Sequence, residues 1–119
     1  MSESKKKIRV EQRGRASVVR FAPLVEFSEQ ETSAIERELT TVLDVSDISA
    51  LVINFTGVAL ISSHMLGVLV RLRNLARKRK IEVQLAELTE INLRLFQLTR
   101  LNNLFRIYAS EDEALAAAA

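Results

Sequence analysis

The apolar positions of the chain change their spacing several times, and each change marks an element. Ile8 and Val10 alternate with Arg9 and Glu11, and Val18-Val19-Arg20-Phe21 follows after Gln12-Arg13-Gly14-Arg15, the pattern of a hairpin. Pro23 ends the second strand, because proline cannot donate to a sheet ladder. Ser28-Glu29-Gln30-Glu31 has the Ser-x-x-Glu form of a capping box, so a helix is expected to start at Ser28. Ile35, Leu39, Val42 and Leu43 then line one face of that helix, with Glu36, Arg37 and Glu38 on or near the other. Glu29, Glu31, Glu36 and Glu38 read as a solvated face, and Asp44 to Ser49 closes the helix.

The stretch from Ala50 to Leu72 organises the rest. Ala50-Leu51-Val52-Ile53-Asn54-Phe55 is a short, almost wholly apolar run, which predicts a strand buried on both faces. A Thr56-Gly57 turn and a Ser62-Ser63 pair lead into a helix from Ser63 to about Lys80. Leu66, Leu69, Val70, Leu72, Leu75 and Ala76 are placed inward on it, and Arg71, Arg73 and Asn74 mostly outward. Gly67 costs this helix about 1 kcal/mol relative to alanine, which suggests a close approach to the strand beneath. Ile81, Val83 and Leu85 alternate with Glu82 and Gln84 as a further strand, and strand, helix, strand in this order predicts a right-handed parallel crossover.

Thr89 caps the next helix, with Leu88 and Leu93 placed as a hydrophobic staple. Leu95, Phe96, Leu98, Leu101, Leu104 and Phe105 are too numerous to be exposed, and they read as core rather than as a partner groove. Arg106-Ile107-Tyr108-Ala109 fits a brief edge strand, and Ser110-Glu111-Asp112-Glu113 opens a final helix through Ala114 and Leu115. The fold class is therefore α/β: a single mixed sheet of four to five strands with about four helices mainly on one face. One domain is expected over residues 1–119, with residues 1–7 as a flexible arm.

Composition removes most chemistries. With 119 residues and 48% hydrophobic content the chain can bury a core without metal or disulfide support. It holds no apolar run of about eighteen residues, so no membrane span is expected. The opening Met1-Ser2-Glu3-Ser4-Lys5-Lys6-Lys7 lacks the apolar segment of a signal peptide, which predicts a cytoplasmic protein. No cysteine and a single histidine leave no thiolate metal site and little material for a metal cluster or a Ser-His-Asp triad. No catalytic residue, metal or cofactor is therefore assigned. Three glycines form no phosphate loop, so ATP binding by this chain is not expected.

The net charge of +2 changes little, because the basic runs fall in the arm and at Arg77-Lys78-Arg79-Lys80, where cations offset the negative end of a helix. With one tyrosine and no tryptophan there is little surface for base stacking, and nucleic acid is not an expected partner.

The strand-loop-helix stretch from Ala50 to Leu72, followed by Thr99-Arg100-Leu101-Asn102-Asn103-Leu104-Phe105 and Ser110-Glu111-Asp112-Glu113-Ala114-Leu115, resembles the STAS domain, the fold of bacterial anti-sigma factor antagonists. The resemblance spans nearly the whole chain. In that family an apolar strand ends in a loop of Asp-Ser-x-Gly-Leu-Gly type, whose serine is phosphorylated by an anti-sigma factor that is itself a kinase. Here the matching residues are Ser62-Ser63-His64-Met65-Leu66-Gly67. Ser63 falls on the phosphorylated position, Ser62 replaces the aspartate and Met65 replaces the first glycine; Asn54 stands where the family often has an aspartate. The resemblance implies a regulatory protein-binding module for an ATP-dependent anti-sigma factor and serine kinase. Its partner surface would comprise Thr56, Gly57, Ser62, Ser63, His64, Met65 and Leu66, and its switch would be Ser63. The alternative it leaves open is a non-phosphorylated STAS scaffold, or a subunit of a larger signalling or lipid-transport assembly.

Physical chemistry supports a switch at Ser63 without the family. A phosphate there brings roughly −1.5 to −2 charges to a helix N-terminus whose free N–H groups can receive it. The bland reading is that Ser62 and Ser63 are helix caps worth about 1 kcal/mol. His64 has no carboxylate near it in sequence to orient it as a base, so it reads as a surface residue of the first turn.

Overall fold

The computed structural model describes residues 6–22, 27–45 and 47–118. Five strands form one sheet in the order β1-β2-β3-β4-β5. They are β1 (Ile8–Arg13), β2 (Ala16–Phe21), β3 (Ala50–Asn54), β4 (Glu82–Ala86) and β5 (Arg106–Tyr108), interleaved with α1 (Glu29–Val45), α2 (Ser63–Lys78), α3 (Glu90–Leu98) and α4 (Glu111–Ala118). The first pair is antiparallel and the other three pairings are parallel.

The hairpin closes as the sequence suggests, on Gly14, whose φ of +62° is a conformation glycine reaches without a Cβ clash. Strand β3 occupies the centre, and all five of its residues are buried. The ladder sets the two faces. Val19, Ile53, Leu85 and Ile107 share one row, which α1, α2 and α3 cover. Val18 and Val52 lie on the other face and meet Ala114 of α4. Helices therefore cover mainly one face, and the small side chains of α4 let that helix lie close on the second.

Helix α1 begins as its capping box predicts, with the Glu31 amide donating to Ser28 Oγ at 3.2 Å. Its acidic residues are not simply solvated. Glu38 accepts from the amides of Lys7 and Ile8 at 3.0 and 3.1 Å, Glu31 lies 3.3 Å from Lys7 Nζ, and Glu36 holds Arg71 of α2 through two bonds of 2.8 and 3.0 Å. Lys7 is thus tied to α1 rather than part of a loose arm. The strand-ending role read for Pro23 lies outside the described residues.

Three further expectations are corrected. The buried face of α2 is Met65, Val68, Leu69, Leu72 and Ala76, while Leu66 and Leu75 only flank it; the stripe is rotated by about one residue from the one expected. Gly67 touches no strand, since a Cβ there would meet only the Arg71 guanidinium at 3.5 Å. Leu98 is 83% exposed, because it stands two residues past the buried Phe96 on α3 and so falls on the opposite face of the helix, while Leu101, Leu104 and Phe105 do pack inward.

Leu69 is fully buried between β3 and the helix layer, so Leu69→Ala should cost about 2–5 kcal/mol by leaving a cavity. Leu98→Ala should change stability by less than about 0.5 kcal/mol. Denaturant midpoints of the two variants check the burial pattern of the helix layer.

Candidate functional site

The chain leaves β3 at its C-terminal end and does not enter α2 at once. Phe55 adds one more ladder bond, its amide donating to Ala86 O at 2.9 Å, and Val58 N–H then closes a turn on Phe55 O at 3.0 Å. Gly57 sits in that turn with φ +87°, where any side chain would be strained. Asn54 fixes the start of the turn: its Oδ1 accepts the Thr56 amide at 2.8 Å, and its Nδ2 donates to Glu111 at 2.8 Å.

The next four residues hang on Asn92, a fully buried side chain of α3. Its Nδ2 donates to Val58 O at 3.0 Å and its Oδ1 accepts the Ile61 amide at 2.9 Å, so one amide group serves the loop as a neighbouring strand would. Val58 and Ile61 are thereby drawn into the core, and Leu60 is turned out with 64% of its surface exposed.

Helix α2 then starts on Ser62. That residue is extended, with φ −76° and ψ 162°, and its hydroxyl accepts the Met65 amide at 3.1 Å. Ser62 is therefore the cap, and Ser63 is the first helical residue, exposed and relieved of capping duty. The amides of Ser63 and His64 have no intrahelical acceptor and lie at the positive end of the helix dipole. Whereas α1, α3 and α4 each carry acidic residues in their first turn, α2 carries none. An anion at Ser63 meets no carboxylate on its own helix.

The residues singled out from the sequence divide accordingly. Thr56, Gly57 and Ser63 are exposed, and Ser62, His64 and Leu66 are half-buried. They lie along the turn and helix start at the C-terminal end of the parallel strands. Met65 does not belong with them. It is only 1% exposed and packs in the core, because the cap on Ser62 turns that position inward. His64 faces an open groove of about 420 Å³ bounded by Glu29, Gln30, Ser33 and Arg37 of α1, and its Nδ1 is buried without a partner among the described residues.

Two parts of the site are absent from the sequence reading. Asn92 is one; its signal is a polar residue one turn before Phe96 on the buried face of α3, which implies a buried hydrogen-bonding task. The other is a polar cluster behind the loop. Arg20 donates to both oxygens of Glu111 at 3.0 and 2.5 Å and to Glu11 at 3.0 Å, while the Glu111 amide donates to Glu87 at 2.9 Å. This cluster joins β2, β3 and the start of α4. It also accounts for asparagine at position 54: an aspartate could not donate to Glu111 and would set a second carboxylate against it.

Partial burial works against the Glu111 charge, but hydrogen bonds from Arg20 and Asn54 outweigh it and hold the carboxyl below its ordinary range. Glu36 is held low in the same sense, chiefly by its hydrogen bonds to Arg71. A lowered folded-state value means that the stabilisation is complete above the unfolded value of about 4.3 and is lost as pH falls through the folded value. Stability should therefore be flat down to about pH 5 and decline below it, and Glu111→Gln should flatten part of that decline. Urea midpoints measured across the acid range check this.

The family profile of the STAS domain matches residues 7–114, and the chain belongs to that family. No curated protein sequence matches it significantly. Among solved structures, an anti-sigma-factor antagonist (STAS) domain protein from Planctomyces limnophilus is 20% identical with a TM-score of 0.83, covering 98% of this chain and 100% of its own. An anti-sigma factor antagonist from Mycobacterium paratuberculosis is 25% identical with a TM-score of 0.73, covering 93% of this chain and 92% of its own. The Bacillus cell fate determinant SpoIIAA in its phosphorylated form is 17% identical with a TM-score of 0.71, covering 94% and 99%. The fold is that of these STAS proteins, and no described helix is long and apolar enough to cross a membrane.

Proposed function

We propose that this protein is a regulatory binding module of the anti-sigma factor antagonist kind, which docks through the β3–α2 loop on an ATP-dependent anti-sigma factor and serine kinase and is released by phosphorylation of Ser63. The observation that carries this reading is the division of labour at the helix start, where Ser62 caps α2 and leaves Ser63 exposed with no acidic neighbour in the turn. The docking surface is Thr56, Gly57, Ser62, Ser63, His64 and Leu66, and the exposed Leu60 supplies an apolar contact beside them. The protein acts by binding and performs no catalysis of its own, and the cytoplasm is where such a partner works.

The bound and released states differ by one group. An uncharged Ser63 hydroxyl can be buried under a partner at little cost, whereas a phosphate must lose its hydration or face whatever acidic groups the partner presents. The folded domain itself accommodates the phosphate at the α2 N-terminus.

The experiment is affinity capture with the purified protein, followed by incubation of the recovered partner with ATP. Transfer of one phosphate to Ser63, located by peptide mass spectrometry, is the expected result. A stable partner that never modifies Ser63 would favour the second reading, a STAS scaffold within a larger assembly; serine in place of aspartate at position 62 favours that reading too.

A further inference from the structure

We propose that a cleft at the opposite end of the sheet binds a small soluble anion carrying two phosphate groups. The cleft has a volume of about 410 Å³ and lies between the last turns of α2, the turn into β4 and the segment leading into β5. That volume falls within the range of about 300–1,000 Å³ typical of small-molecule sites. Arg73, Arg77, Lys80 and Arg106 line it, and Glu82, its one carboxylate among the described residues, is engaged by Arg106 at 3.0 Å.

Offsetting the dipole of α2 does not account for this arrangement. The C-terminal end of a helix carries about half a negative charge, which the cations of its own last turn already meet. Here Arg106 converges from a different element, and Arg73 stands more than one turn back from the helix end. Four cations face one carboxylate and that half charge, so the wall is positive by more than two charges.

Arg73 is also held in place. Its Nε donates to Leu104 O at 3.1 Å and its Nη1 to Asn74 Oδ1 at 3.4 Å, and among the described residues Nη2 meets no acceptor. Arg77 and Lys80 form no ion pair among the described residues. Arg73 and Arg77 are one turn apart on the same face of α2, with Cβ atoms about 6 Å from each other. The Arg77 guanidinium presents a planar fork matched to one phosphate, Arg73 offers its Nη2 to the other, and Lys80 adds a point charge at the rim. The floor is apolar, with Ile81 and Phe105 5% and 6% exposed, which lowers the dielectric around a bound anion.

The surroundings narrow the ligand. Among the described residues the exposed large hydrophobics are Val10, Leu60, Ile91 and Leu98, and none of them borders the cleft. Nothing there would enter a bilayer beside a lipid headgroup, so the anion is free in solution. Among the described residues the one ring in the cleft is Phe105, and it is buried, so it offers no face to a nucleobase. The ligand is read by its phosphates.

The site is separate from the proposed switch, since Arg73 and Arg77 lie about 15 and 21 Å along α2 from Ser63 at 1.5 Å per residue. Calorimetric titration with inorganic pyrophosphate at fixed ionic strength tests it. Saturable one-to-one binding is expected, with orthophosphate weaker by about tenfold or more. Arg77→Gln, at an exposed residue with no structural bond to lose, should weaken pyrophosphate by about tenfold, while Arg94→Gln on α3 and Ser63→Glu should leave it unchanged. Absence of saturation, or equal weakening by Arg94→Gln, would overturn the proposal. So would displacement of pyrophosphate by an equimolar poly-glutamate peptide, or tighter binding to vesicles of phosphatidylcholine and phosphatidylglycerol.

Discussion

Asn92→Ala should destabilise the protein by about 3–6 kcal/mol, more than a typical surface or cap change, although it removes only one small polar side chain. The side chain is fully buried and serves two backbone groups, the Val58 carbonyl and the Ile61 amide. Each group left unpaired in the interior costs about 1–3 kcal/mol, and the vacated volume adds to that. The loop between β3 and α2 loses its attachment to α3 at the same time. Thr89→Ala gives the scale for comparison: that residue caps α3, accepting the Asn92 amide at 3.1 Å, and reaches the loop only through a long, exposed bond of 3.4 Å to the Ala59 carbonyl, so its loss should cost about 1 kcal/mol. Urea midpoints rank the two variants, and amide exchange at Ile61 reports whether the loop has come loose. An Asn92→Ala loss below about 1 kcal/mol, with Ile61 still protected, would show that water replaces the side chain and that the loop does not depend on it.

The elements were legible because their signals are local. Val-, Ile- and Leu-rich runs of strand length, capping residues at Ser28, Thr89 and Ser110, and the Thr56-Gly57 turn each state their structure within a few residues. The short strand β5 was legible too, although its three residues have little pattern of their own. What stayed hidden joins residues far apart in sequence. Arg20, Asn54, Glu87 and Glu111 form one cluster only once β2, β3 and α4 are assembled, and no spacing rule links them. Arg73 shows the same limit: it reads as an outward cation on the helical wheel, yet its guanidinium reaches the carbonyl of Leu104. The rotated stripe on α2 has a simpler origin. Counting from Leu66 assumes that the largest aliphatic residues face inward, whereas the cap on Ser62 fixes the phase of the helix and turns Met65 and Val68 to the core.

Ser63→Glu should leave the fold intact and lower partner affinity by about a hundredfold or more, equivalent to about 2.7 kcal/mol. The fold tolerates the change because the charge arrives at the positive end of the α2 dipole, where an acidic side chain contributes roughly 0.3–1 kcal/mol of stability, and α2 carries no acid of its own in that turn. The partner does not tolerate it, because the carboxylate takes the place of an exposed hydroxyl at the centre of the proposed docking surface. Ser63→Ala separates the two effects. Had Ser63 been the cap, its loss would have destabilised the helix; with Ser62 in that role, the change should stay within about 0.5 kcal/mol and the partner should remain bound. Ser62→Ala should instead cost about 1 kcal/mol, and Ser62→Asp should restore the cap, since aspartate accepts an N2 or N3 amide as well as serine does. The Ser62→Asp protein should therefore bind the partner normally and, where the partner is a kinase, become the better substrate at Ser63. Thermal and urea midpoints measure the stability order, and titration of the captured partner into each variant measures affinity. If Ser63→Glu binds as tightly as the unaltered protein, the charge at the helix start does not control docking, and the scaffold reading is the one that remains.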